Sequence, residues 1–184
     1  LVAIVRQTND DSDQIDSKQA LIPAGEFSMG TDEGTTMERP VHRVQLKQFF
    51  IDRHEVTNQE FQEFVDAGGY ENQEIWVYPL NRDGVEVTWS EAIGEFVDLT
   101  GRPGPGIWTA GRYPEGQENY PVTGISWYEA AAYAEFVGRD LPTVYHWYVA
   151  SSQGLSGLII PLSNFEGEGL AAVGEFPAVT GAGL

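Results

Sequence analysis

The chain has 184 residues, enough for one domain with a substantial core, and at 41% hydrophobic and 12% aromatic it does not have the composition of a disordered segment. Its formal net charge of −18, from 28 acidic against 10 basic residues, argues against binding to nucleic acid or an anionic membrane surface and is compatible with hard cations. The absence of Cys removes disulfides, thiolate nucleophiles and Cys-ligated zinc or copper from these residues, and no apolar run reaches the roughly 18 residues that a membrane span needs.

Twenty-one Gly and ten Pro predict long irregular loops. Residues 1–20 read as a linker or the end of an upstream region. LVAIVR is too short for a signal peptide and no initiator Met precedes it. The four Asp at 10, 11, 13 and 16 suggest a calcium loop but lack its glycine and closing glutamate, so a solvated linker is the expectation. The domain proper is expected over 21–184. LIPAGEFSMG predicts a strand bent at Pro23–Gly25, with Phe27 and Met29 turned inward. Val41–Val56 is the longest strand-like segment. Val44, Leu46 and Phe49–Ile51 supply its core face, and Lys47–Gln48 interrupt the alternation as a bulge or bend.

A capping device then recurs: an apolar residue, Ser or Thr, Glu three positions on, and later Phe-Val. Thr57 with Glu60 opens a helix with Phe61, Phe64 and Val65 on its buried stripe, ended by Gly68–Gly69. Thr88 with Glu91 opens a second, with Ala92, Phe96 and Val97 inward and Gly101 closing it. Ser126 with Glu129 opens a third, buried along Ala130, Tyr133, Ala134 and Val137 and capped by Gly138. Thr143, just past Pro142, opens a fourth, with Trp147 and Val149–Ala150 as its buried side. Between them, Asn81–Gly84 reads as a turn, and the loops around Trp76, Trp108 and Tyr113 place aromatics either against the body or on a binding surface. Beyond Ser151 the chain is Gly-rich with no helical stripe, and Leu184 reads as a truncation point.

IPAGEFSMG, FFIDRHEVTNQEFQEFV, YPVTGISWYEAAAYAEFVGRDLPTVYHW and SNFEGEG, in this order, resemble the formylglycine-generating-enzyme/sulfatase-modifying-factor family. The wording is most similar to copies appended to bacterial transmembrane Ser/Thr protein kinases. The resemblance implies an α+β, C-type-lectin-like, loop-rich domain with short helices and twisted strands. It also implies structural Ca²⁺ held by Asn164, the Phe165 carbonyl and Glu166 or Glu168, hard oxygen ligands on a glycine-bent loop.

Three functions accompany the resemblance. The first is a copper-dependent formylglycine-generating oxidase acting on a sulfatase cysteine, whose catalytic cysteines would have to lie beyond Leu184. The second is iron-dependent sulfur–carbon bond formation on a His-rich site, but His42, His54 and His146 are scattered and read as structural. The third is a non-catalytic module that binds or senses a protein, peptide or glycan, extracytoplasmic if the kinase likeness holds. This third reading is preferred, with Trp76, Trp108 and Tyr113 as its candidate surface. No nucleophile elbow supports a hydrolase.

Overall fold

A computed structural model describes residues 5–7, 17–33, 35–36, 38–151, 164, 167 and 169–177. It is a mixed α and β structure of small antiparallel sheets and short helices.

Strand β1 (Val5–Gln7) and strand β2 (Gln19–Ile22) flank strand β5 (Phe49–Asp52), while β3 (Gly25–Met29) pairs with β4 (His42–Leu46). The register runs straight through both sheets: Ile22 faces Phe49, and after two residues on each side Gly25 faces Leu46. The bend expected at Pro23 and the break expected at Lys47–Gln48 are therefore one feature, the two sides of a single interruption. Pro23 has no N–H to give the ladder, so pairing lapses there on both strands, and equal counts on the two sides make it a bend rather than a bulge. Val5–Gln7, expected within the linker, belongs to the sheet instead. Val5 is fully buried and exchanges backbone bonds with Asp140 at 2.7 and 2.9 Å.

Among the described residues four α-helices follow: α1 (Asn58–Asp66), α2 (Trp89–Ala92), α3 (Trp127–Phe136) and α4 (Val144–Ala150). Thr57, Thr88, Ser126 and Thr143 are their N-caps, each with a capping box closed by Glu60, Glu91, Glu129 and His146. Helices α1 and α3 end alike: Gly68 and Gly69 bond back to Val65 and Phe64, as Gly138 and Arg139 do to Glu135 and Ala134. Helix α2 is shorter than expected. It gives way to a 3₁₀ turn at Ile93–Glu95, and Gly101 closes a separate turn onto Asp98. Phe96 and Val97 lie past the helix because the Asp98 carboxylate collects the backbone that follows it. Between α1 and α2, β6 (Leu80–Arg82) and β7 (Val85–Val87) form a hairpin on the two-residue turn Asp83–Gly84, both at positive φ.

The main core lies between α1 and α3. Phe61 stacks on Tyr133 at 5.3 Å and Phe64 meets it edge-on at 6.0 Å. Ala130, Ala132 and Ala134 let the helices approach, and Trp76, Trp108, Val56 and Val122 fill the rest. A smaller core holds Val5, Ala20, Ile22, Phe49 and Ile51 against Ala150 of α4. Trp147, expected on the inner side of α4, is 44% exposed. His146 is the inward residue, its ring 4.5 Å from that of Phe49. A short pattern left the phase of this helix open, and the cap at Thr143 sets it. No helix among the described residues is long and apolar enough to cross a membrane.

Candidate functional site

Where β5 runs into α1, and where α3 ends, the chain leaves an open cleft of about 490 Å³. Its charges are organised in pairs. Asp52 accepts from Gln19 Nε2 at 3.1 Å and from Arg139 Nη1 at 2.8 Å. Glu60 uses both oxygens: Oε1 accepts from Lys18 Nζ at 2.7 Å, and Oε2 takes the Thr57 backbone N–H and hydroxyl, both at 3.0 Å. Burial works against the Glu60 charge, but Lys18 and the Thr57 donors outweigh it and lower its pKa. Glu55 and Glu63 also line the cleft and have no side-chain partner among the described residues.

Tyr133 provides the aromatic wall. It is 95% buried, being 5% exposed, yet it lines the cleft, and its hydroxyl has no hydrogen-bond partner among the described residues. Burial first, then the charges of Glu60 and Asp52, push its pKa up, and Arg139 partly offsets them. The cleft thus offers carboxylates, tethered cations and a neutral phenol. These are groups suited to binding, and the Thr57 hydroxyl is already used by its cap.

Of the two readings of the loop aromatics, anchors against the body or a binding surface, burial favours the first, with Trp76 and Trp108 in the core. Trp108 is fully buried, edge-on to Phe61 at 6.2 Å and to Tyr113 at 5.6 Å. Trp76 is 9% exposed and donates its indole N–H to the Gly69 carbonyl at 3.0 Å, and Tyr113 packs partly buried against the same cluster. Their large apolar area is better spent pinning loops than facing water. Tyr78 and Trp127, 4.8 Å apart, are an exposed aromatic pair among the described residues.

What holds the Trp108 loop is a carboxylate that the sequence reading passed over. Asp98 Oδ1 accepts from the Thr100 N–H at 2.7 Å, the Thr100 hydroxyl at 2.7 Å and the Arg102 N–H at 3.0 Å; Oδ2 accepts from the Gly111 N–H at 2.6 Å. Burial opposes this charge, but the four donors prevail and hold the carboxyl well below the usual range. The signal available was Asp-x-Thr beside a Gly-rich loop, a turn-forming pattern.

The histidines are spread out: His42 is exposed on β4, His54 lines the cleft and His146 is buried on Phe49. Asn164 donates its amide to the Gly169 carbonyl at 2.7 Å, which turns its Oδ1 toward Gly167. Phe165, Glu166 and Glu168 lie outside the described residues. Among the described residues no group of three His, Asp or Glu is placed to hold a metal.

The family model for a sulfatase-modifying factor enzyme 1-like domain matches residues 6–181. The chain belongs to this family. A serine/threonine-protein kinase pkn1 of Chlamydia pneumoniae is 33% identical over a region covering 79% of this chain and 21% of the kinase. The formylglycine-generating enzyme of Bos taurus is 31% identical, over 88% of this chain and 48% of its own length. The inactive C-alpha-formylglycine-generating enzyme 2 of Mus musculus is 32% identical, over 78% of this chain and 50% of its own. The chain therefore spans about a fifth of the kinase relatives and about half of the formylglycine-generating enzymes. The cleft is set by Glu60 and Tyr133, read from sequence as a cap and a core residue, and by the Asp52–Arg139 pair, to which the sequence reading assigned no role.

Proposed function

We propose that this sulfatase-modifying-factor-like chain serves as a non-catalytic binding or sensory module of a larger, kinase-like bacterial protein. The observation that carries the reading is the similarity to relatives named as serine/threonine-protein kinases, 33% identical over 79% of this chain and 21% of the kinase. Similarity to a relative named inactive supports it further. The fold is read as C-type-lectin-like, in keeping with the small sheets, short helices and long loops. The partner is a protein, peptide or glycan, and the net charge of −18 weighs against nucleic acid. The module is read as the extracytoplasmic part of a membrane protein, in keeping with the kinase likeness.

Incubating the full-length protein with copper, oxygen and a sulfatase-derived cysteine peptide, followed by mass spectrometry, tests the assignment. The peptide is expected to keep its thiol. Conversion to formylglycine by the full-length protein overturns the reading in favour of the oxidase.

A further inference from the structure

We infer that the seam between α1 and the 108–117 loop holds one internal water molecule, bound to Asn58 Oδ1, Gln62 Oε1 and Trp108 Nε1. Asn58, Gln62 and Trp108 are 3%, 6% and 0% exposed. Each carries one buried polar atom with no hydrogen-bond partner among the described residues: the two amide oxygens and the indole N–H. Such orphans are unfavourable, and folded interiors satisfy nearly all of them with protein groups or ordered water. The amides cannot trade their ends to escape. Asn58 Nδ2 donates to the Gln117 carbonyl at 2.9 Å; Gln62 Nε2 donates to the Gly111 carbonyl at 3.1 Å and to Asp66 Oδ1 at 3.0 Å. Flipping either amide would set its oxygen against another oxygen.

The three orphans border one seam. Asn58 and Gln62 are one turn apart on α1, so their Cβ atoms stand about 5–6 Å apart on one face, with Phe61 beside them. Their amide groups clamp the two ends of the 111–117 segment. Trp108 lies between the two sides, edge-on to Phe61 of α1 and to Tyr113 of the loop. Its Cε3 edge is 4.0 Å from where a Gly104 Cβ would stand, so the N–H, on the opposite edge of the ring, is turned away from that segment. The seam asks for one acceptor and two donors. Water supplies both: it accepts from the indole and donates to the two amide oxygens. Three bonds is the usual number for an internal water. A cation would suit the oxygens and leave the indole N–H orphaned, and an anion would do the reverse. The water ties the loop to the helix alongside the two direct amide bonds, while Asp98 holds Gly111 from the other side. The inference is independent of the binding-module reading.

A high-resolution crystal structure of the full-length protein tests this. A single solvent peak is expected within about 2.7–3.2 Å of all three atoms. The inference is overturned by a seam with no peak, by a peak that misses any of the three, by oxygen distances of about 2.3–2.6 Å that mark a metal ion, or by a direct bond from the indole N–H to a protein group. Solution NMR with nitrogen-labelled tryptophan gives a second readout that needs no variant. The Trp108 indole proton, assigned through its contacts to Phe61 and Tyr113, is expected to show cross-relaxation to water with the sign of a long-lived bound molecule. The lack of that cross-peak also overturns the inference.

Discussion

Replacing Asp98 by Asn tests whether one carboxylate holds the loop that seats Trp108. The change keeps size and shape. Its amide oxygen can take the Oδ1 position, where three donors converge, and this puts the amide NH₂ against the Gly111 N–H at 2.6 Å. Two donors then face each other. One charge-assisted bond is lost, the rest lose the charge, and the Gly111 N–H is left without an acceptor. One such bond with its orphaned donor costs about 2–3 kcal/mol. For a chain of this length that lowers the melting temperature by about 4–12 °C. Urea unfolding followed by far-UV circular dichroism gives the free energy. The acid limb gives a second signature. The folded carboxyl sits below its ordinary value of 3.8, so the unfolded chain takes up the proton first. This contribution is complete above about pH 4 and is lost as pH falls toward the folded value, and the Asn variant lacks it. A variant within about 0.5 kcal/mol of the parent at pH 7, with an unchanged acid limb, would refute the reasoning.

Three further outcomes are expected. His146 is held below its ordinary value of 6.5 by burial, partly offset by Asp140, so its contribution is present above pH 6.5 and lost as pH falls below it; His146→Gln should shrink the drop in urea midpoint between pH 7.5 and 5.5. Gly69→Ala places a Cβ 2.2 Å from the Phe64 ring, and overpacking of about 1–3 kcal/mol should appear in a thermal melt. If the Asn164 loop binds Ca²⁺, EGTA lowers the melting temperature and added Ca²⁺ restores it, while no change with EGTA would discard calcium at this loop.

Much of this fold was legible because its devices are local. Each cap announces itself within four residues, and Pro23 announces the bend. What escaped is what depends on residues far apart in sequence. Trp76 and Trp108 could not be assigned to core or surface, because the composition of a loop does not reveal which side of it faces α1. Helix α2 was drawn too long because Asp98 ends its neighbourhood through Gly111, 13 residues away. The cleft escaped for the same reason: Lys18 meets Glu60 across 42 positions and Arg139 meets Asp52 across 87. The family resemblance supplied the domain, but none of its implied ligands or surface aromatics led to that cleft.

The two buried-side capping glutamates show how one local motif serves two ends. Glu60 and Glu129 both close a box on the residue three positions earlier, and each has a second oxygen left over. At α1 that oxygen meets Lys18, whose side chain is 70% exposed; such a pair is worth no more than about 1 kcal/mol, and its effect is to keep Glu60 charged. At α3 it accepts the Tyr70 hydroxyl at 2.6 Å inside the core. Burial there outweighs the Ser126 and Tyr70 donors and raises the Glu129 pKa, whereas at Glu60 the donors win and lower it. Capping therefore determines where each carboxylate sits, and its surroundings determine the direction of its pKa shift. Of the two only Glu60 opens onto the cleft, so an ion pair that is weak as a stabilising contact keeps one of the cleft's four carboxylates charged.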